Sequence, residues 1–147
     1  MTDEEAKDRL AIQNLLATAT QAGDRRRADD YAACFTEDGV LELENGAHEG
    51  REAIRAFMGG TTIINNPPPS GAAPSFIAHN LTTSAVEFTG DGEAEARTYW
   101  IVMSSAGPDH SGFYVDRLRK VGGKWLLAHR KPRTLWFSAT SVVKARD

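Results

Sequence analysis

The 147 residues predict an α+β fold: three N-terminal helices packed in a curved, mostly antiparallel sheet. Apolar residues repeat at helical spacing only in the front of the chain, before Gly59-Gly60. Behind them come four long β-rich runs, separated by Gly90-Asp-Gly92, Ala106-Gly-Pro-Asp109 and Gly122-Gly123. Helices first and strands afterwards is the order of a sheet with helices on one side. Curled round them, the sheet becomes a cone-shaped α+β barrel whose cavity opens at one end. Such a cavity suits an apolar small molecule met by a few polar groups.

Thr2-Asp-Glu-Glu5 reads as a capping box, and Ile12, Leu15, Leu16, Ala19 and Ala22 form the apolar stripe of the first helix. Gly23 is its expected stop, because glycine accepts a left-handed backbone. A shorter helix follows with Ala28, Tyr31, Ala32 and Phe35 on one face, then a turn at Glu37-Asp-Gly39. Val40 to Glu44 reads as a strand, and Asn45-Gly46 is a hairpin signal. A third helix, Arg51 to Met58, presents Ile54 and Phe57. Thr61 to Ser75, with its prolines and asparagines, reads as a loop inside one domain, 1–147. The meander runs are Phe76 to Thr89, Glu93 to Ser105, Ser111 to Val121 and Lys124 to Phe137, with His110 in a loop.

Composition narrows the function classes. Apolar residues are 41% and charged residues 25%, ordinary globular values, and the net charge of −3 argues against nucleic acid as a partner. Arg25-Arg-Arg27 is basic but ringed by Asp24, Asp29 and Asp30, as a solvated turn would be. The single cysteine, Cys34, sits among apolar neighbours as a small core residue. No apolar run approaches the length of a membrane span or a signal peptide, so a cytoplasmic protein is expected. No histidines have metal-ligand spacing and no phosphate loop is present, so neither metal nor cofactor is expected.

The order of elements, with Ala11-Ile-Gln13, Gly23-Asp24, Tyr31-Ala-Ala-Cys-Phe-Thr-Glu-Asp-Gly39, Gly50-Arg-Glu-Ala-Ile54, His79-Asn80 and Tyr114-Val-Asp-Arg-Leu-Arg-Lys-Val-Gly-Gly-Lys-Trp125, resembles the nuclear transport factor 2-like superfamily. Lys131-Pro132 and Trp136 extend the likeness. More narrowly the chain is similar to its SnoaL-like branch, which holds scytalone dehydratase, hexachlorocyclohexane dehydrochlorinase, bile-acid 7α-dehydratase, polyketide cyclases and ketosteroid isomerase. The resemblance implies that Asp24 orients His79, and that neutral His79 removes a proton beside an activating group while a hydroxyl or halide departs. Scytalone dehydratase has a second catalytic histidine further along the sheet, and Tyr99-Trp-Ile-Val-Met-Ser104 has none there. Where that enzyme carries small polar residues this chain reads Gly112-Phe-Tyr-Val, so scytalone is not the expected substrate.

Read by themselves, His79 could be a strand-end histidine and Asp24 a helix-end aspartate. Together they are a carboxylate-oriented imidazole, able to move protons near neutral pH. Tyr31, Tyr99, Tyr114 and Asp116 are candidates to polarise a carbonyl or protonate the leaving oxygen, with Tyr31 the first choice. Asp116 could equally face outward to Arg97 or Arg119. Phe57 is expected at the substrate, and one of His129 and Arg130, Arg130 by preference, faces the cavity. Trp125 and Trp136 read as packing and His48 as surface. Trp100 and Val102 read as an apolar outer face, hence a homodimer. The expected function is a cofactor-independent lyase or isomerase for a small apolar cyclic substrate. The alternatives are a non-catalytic binding or assembly module and an aldol-type polyketide cyclase.

Overall fold

Thr2 and Glu5 close the first helix at its start. The Thr2 hydroxyl accepts the Glu5 N–H at 3.1 Å, and the Glu5 carboxylate accepts the Thr2 N–H at 2.9 Å. The computed structural model describes residues 1–60, 64–67, 69–71 and 75–144. Helix α1 (Asp3–Asp24) buries Ile12, Leu15, Leu16, Ala19 and Ala22, the stripe its spacing predicts. It runs through Gly23, and the left-handed residue is Arg26, at φ 56°. Arg26 is held there by donating to the Met58 carbonyl at 3.0 Å. Helix α2 (Ala28–Ala33) buries Tyr31 and Ala32, and Phe35 already belongs to strand β1 (Phe35–Leu43).

The expected turn at Glu37-Asp-Gly39 lies inside β1. Partners jump from Phe35↔Leu127 to Val40↔His129, so this stretch bulges instead of ending the strand. The hairpin to β2 (Gly46–Glu49) forms where Asn45-Gly46 predicts it. Helix α3 (Arg51–Gly60) includes both glycines and buries Ile54. The expected loop over Thr61 to Ser75 lies partly outside the described residues; those described in it form neither helix nor strand.

Strands β3 (Ile77–Gly90), β4 (Glu93–Ser104), β5 (Gly107–Val121) and β6 (Lys124–Phe137) make the meander. With β1 and β2 they form one curved, unclosed sheet in the order β2-β1-β6-β5-β4-β3. Among the described residues only the β1–β6 pair is parallel. Helices pack on one face through Ile12, Leu16, Phe35, Ile54 and Leu127, all 2% exposed or less. A second cluster, Trp100, Val102 and Tyr114, lies further along the same sheet.

Two expectations fail on strand phase. Trp100 and Val102 are 4% and 0% exposed, so they face the interior and form no outer patch. Their neighbour Tyr99 turns outward, as do Val115, Leu135 and Trp136. Trp125 is buried packing as expected; Trp136 is not. His110 is on β5, paired with Val102 and Phe137, because the strand starts at Gly107 despite Pro108. No helix among the described residues is long and apolar enough to cross a membrane.

Candidate active site

The last turn of α1 meets the start of strand β3 at Asp24. Its Oδ2 accepts the backbone N–H of His79 at 2.7 Å, and its Oδ1 lies 2.6 Å from His79 Nδ1. One carboxylate thus fixes both the strand and the ring, across 55 residues of sequence. A carboxylate can only accept, so Nδ1 carries the proton and Nε2 is left to the cavity. Both side chains keep a narrow opening, 19% exposed for His79 and 16% for Asp24.

The cavity they edge measures about 250 Å³. Its exposed wall is mainly apolar, with Leu41, Leu43, Phe57, Ile77 and Trp100, and charged or polar side chains, Asp24, His79 and Arg130 among them, are set into it. Tyr31, Tyr114 and Arg130 line it as expected; Tyr99 does not, being 41% exposed on the outer face beside Phe113. Strand alternation admits two phases, and the one realised sends Tyr99 out and Trp100 in.

At the floor Arg130 donates twice to Asp116, Nε to Oδ1 at 2.9 Å and a terminal nitrogen to Oδ2 at 2.8 Å. Asp116 is therefore inward, partnered by neither Arg97 nor Arg119. Its companion Arg130 is only 2% exposed, and its guanidinium lies 3.9 Å from the Tyr114 ring centre. Burial opposes the Arg130 charge, yet Asp116 outweighs it and raises the guanidinium above its ordinary value. Burial pushes the Tyr31 and Tyr114 phenols up, against the pull of Arg130, so both remain O–H donors at neutral pH. His129 faces away and reaches Glu42 at 2.8 Å. His48, half-buried, stacks on Phe57 with ring centres 4.1 Å apart.

Sequence reading missed a second couple. His110 Nδ1 lies 2.8 Å from Oδ1 of Asp109, which is fully buried, and the imidazole lines the same cavity. Burial holds His110 below the usual imidazole range, although Asp109 pulls the other way. The adjacent Asp109-His110 pair was the available signal, hidden by the turn-like Gly107-Pro108. Trp100 lies against both histidines, and among the described residues its buried indole N–H has no acceptor. A donor left so costs stability unless a ligand or water oxygen meets it. Gly112 lets the indole lie back: a Cβ there would collide with the Arg133 carbonyl and come within 2.7 Å of the Trp100 ring. A wider groove of about 650 Å³ between α1 and the β5–β6 turn has no histidine among its lining residues.

Residues 4–131 match the model of the family described as SnoaL-like domain. A protein of unknown function from Mycobacterium tuberculosis is 29% identical with a TM-score of 0.75, over 90% of this chain and 75% of that one. A scytalone dehydratase candidate from Novosphingobium aromaticivorans is 21% identical with a TM-score of 0.76, over 99% and 100% of the two chains. A type 2 hexachlorocyclohexane dehydrochlorinase is 15% identical with a TM-score of 0.76, over 91% and 89%. At those last two identities the likeness is one of fold. No curated protein matches the chain.

Proposed function

The chain belongs to the SnoaL-like domain family, and from that premise we propose that it is a cofactor-independent lyase or isomerase, most specifically a dehydratase. The observation that carries this reading is the Asp24–His79 couple at the edge of a mainly apolar cavity. Its substrate is a small cyclic β-hydroxy carbonyl compound. The cavity, about 250 Å³, lies below the usual range of ligand pockets, which begins at about 300 Å³.

His79 Nε2 takes the proton on the carbon next to the carbonyl. Asp24 holds Nδ1–H in place and stabilises the imidazolium as it forms. The Tyr31 hydroxyl, kept protonated by burial, donates to the carbonyl oxygen as negative charge gathers there. The hydroxyl on the next carbon then leaves, and an enone remains. Phe57, Tyr114 and Arg130 bound the space in which the ring sits. Asp116 acts here through Arg130, and Tyr99 has no part.

The test is release of enone from β-hydroxycyclohexanones, followed by its absorbance. His79→Gln is expected to lower turnover by about a hundredfold or more, with the midpoint of thermal unfolding little changed. Asp24→Asn removes the charge and disturbs the tautomer, so it should fall nearly as far. Turnover and folding lost in step would instead make His79 a structural residue.

A further inference from the structure

We infer that His110 is the acid partner of His79, handing a proton to the departing oxygen while His79 takes the proton on carbon. The inference rests on the lyase reading above and deepens it.

Each imidazole has its Nδ1 on a carboxylate, His79 on Asp24 and His110 on Asp109, which frees both Nε2 atoms. Both rings line one cavity, edge to face, with centres 6.3 Å apart. Groups that close can address neighbouring atoms of one bound molecule, as an elimination requires. Asp109 is no ordinary surface carboxylate. Fully buried, it also accepts the Ser141 hydroxyl at 2.5 Å and the Val142 N–H at 2.8 Å. The Asn66 amide in turn donates to the Ser141 carbonyl at 2.9 Å. His110 is therefore aimed by a carboxylate that Ser141 and Val142 hold in place.

The step balances without a co-reactant. His79 Nε2 takes the proton, and the C–H electron pair becomes the new C=C bond. The C–O bond breaks with its pair on oxygen, which takes the Nε2 proton of protonated His110 and leaves as water. One proton has passed from His110 to His79, and its return through solvent resets the couple. Burial, which weakens the hold of His110 on that proton, makes its cation the stronger acid.

Two probes separate this role from packing: 3-hydroxycyclohexanone and 3-(4-nitrophenoxy)cyclohexanone, which yield the same enone. Nitrophenoxide leaves without a proton; hydroxide does not. His110→Gln should lower turnover of the hydroxy probe by about a hundredfold or more and leave the nitrophenoxy probe within a few-fold. Equal loss on both, or no loss on either, overturns the inference, since a packing histidine would not distinguish leaving groups. If His110→Gln does not fold, Ser141→Ala is used instead. It loosens the aim of Asp109 and should show the same preferential loss, smaller in size, with an equal loss overturning the inference. His79→Gln should abolish both reactions. A wild-type protein that turns over neither probe, or that keeps both after His79→Gln, overturns the lyase reading and this inference with it.

Discussion

The floor and the rim of the cavity each join a base to a carboxylate, yet to opposite ends. At the floor Arg130 and Asp116 are nearly sealed from solvent and locked by two parallel hydrogen bonds. A guanidinium does not lose its proton in the accessible pH range, so this pair is a fixed, neutral prop. At the rim the partners of the carboxylates are imidazoles, each bonded through Nδ1 with its second ring nitrogen outside that bond. On the proposed lyase reading, proton transfer falls to these imidazoles, above a guanidinium that keeps its proton.

That contrast breaks most sharply at the floor. Asp116→Ala strands a buried cation and should cost about 3–5 kcal/mol in urea unfolding, while Arg130→Met with Asp116→Leu should come much closer to the parent. A smaller effect is expected from acid. His110 is held low in the fold, so below about pH 6.5 the unfolded chain binds a proton the folded one resists, and stability falls as the pH falls. Asp109 adds to this at lower pH. Burial tends to raise it, but the donors from Ser141, Val142 and His110 hold it below its ordinary value. The Asp109 contribution is present above about pH 3.9 and is lost beneath it. Denaturant midpoints from pH 7.5 to 5 should decline in the parent and flatten in His110→Gln. Least of all, Tyr99→Ala on the outer face should change turnover not at all and stability by under about 0.5 kcal/mol.

Much of the architecture could be read from the chain because each element carries its own punctuation. The α1 stripe and the glycine turns between β-runs are local signals, and no distant contact competes with them. Asp24 and His79 could be paired in advance because each marks an element end in a familiar order. The floor pair could not. Asp116 and Arg130 are cross-strand partners on β5 and β6, and their facing depends on register. Bulges between Ser111 and Gly112 and between Arg117 and Leu118 shift that register, so counting alternate residues loses its origin. The exchange of Tyr99 for Trp100 has the same cause: a period of two has two phases, and only tertiary packing selects one. At Glu37-Asp-Gly39 turn-forming residues met a bulge, which uses the same backbone preferences without ending the strand.

Position 112 sets how wide the chamber can be. With only a hydrogen on its α-carbon, that residue lets the Trp100 wall recede until it nearly touches the β5 backbone. Even one methyl group would have to push a pair of hydrogen-bonded strands apart or drive the indole inward over the histidines. If the lyase reading holds, a larger side chain at this position should narrow the range of molecules the chamber admits.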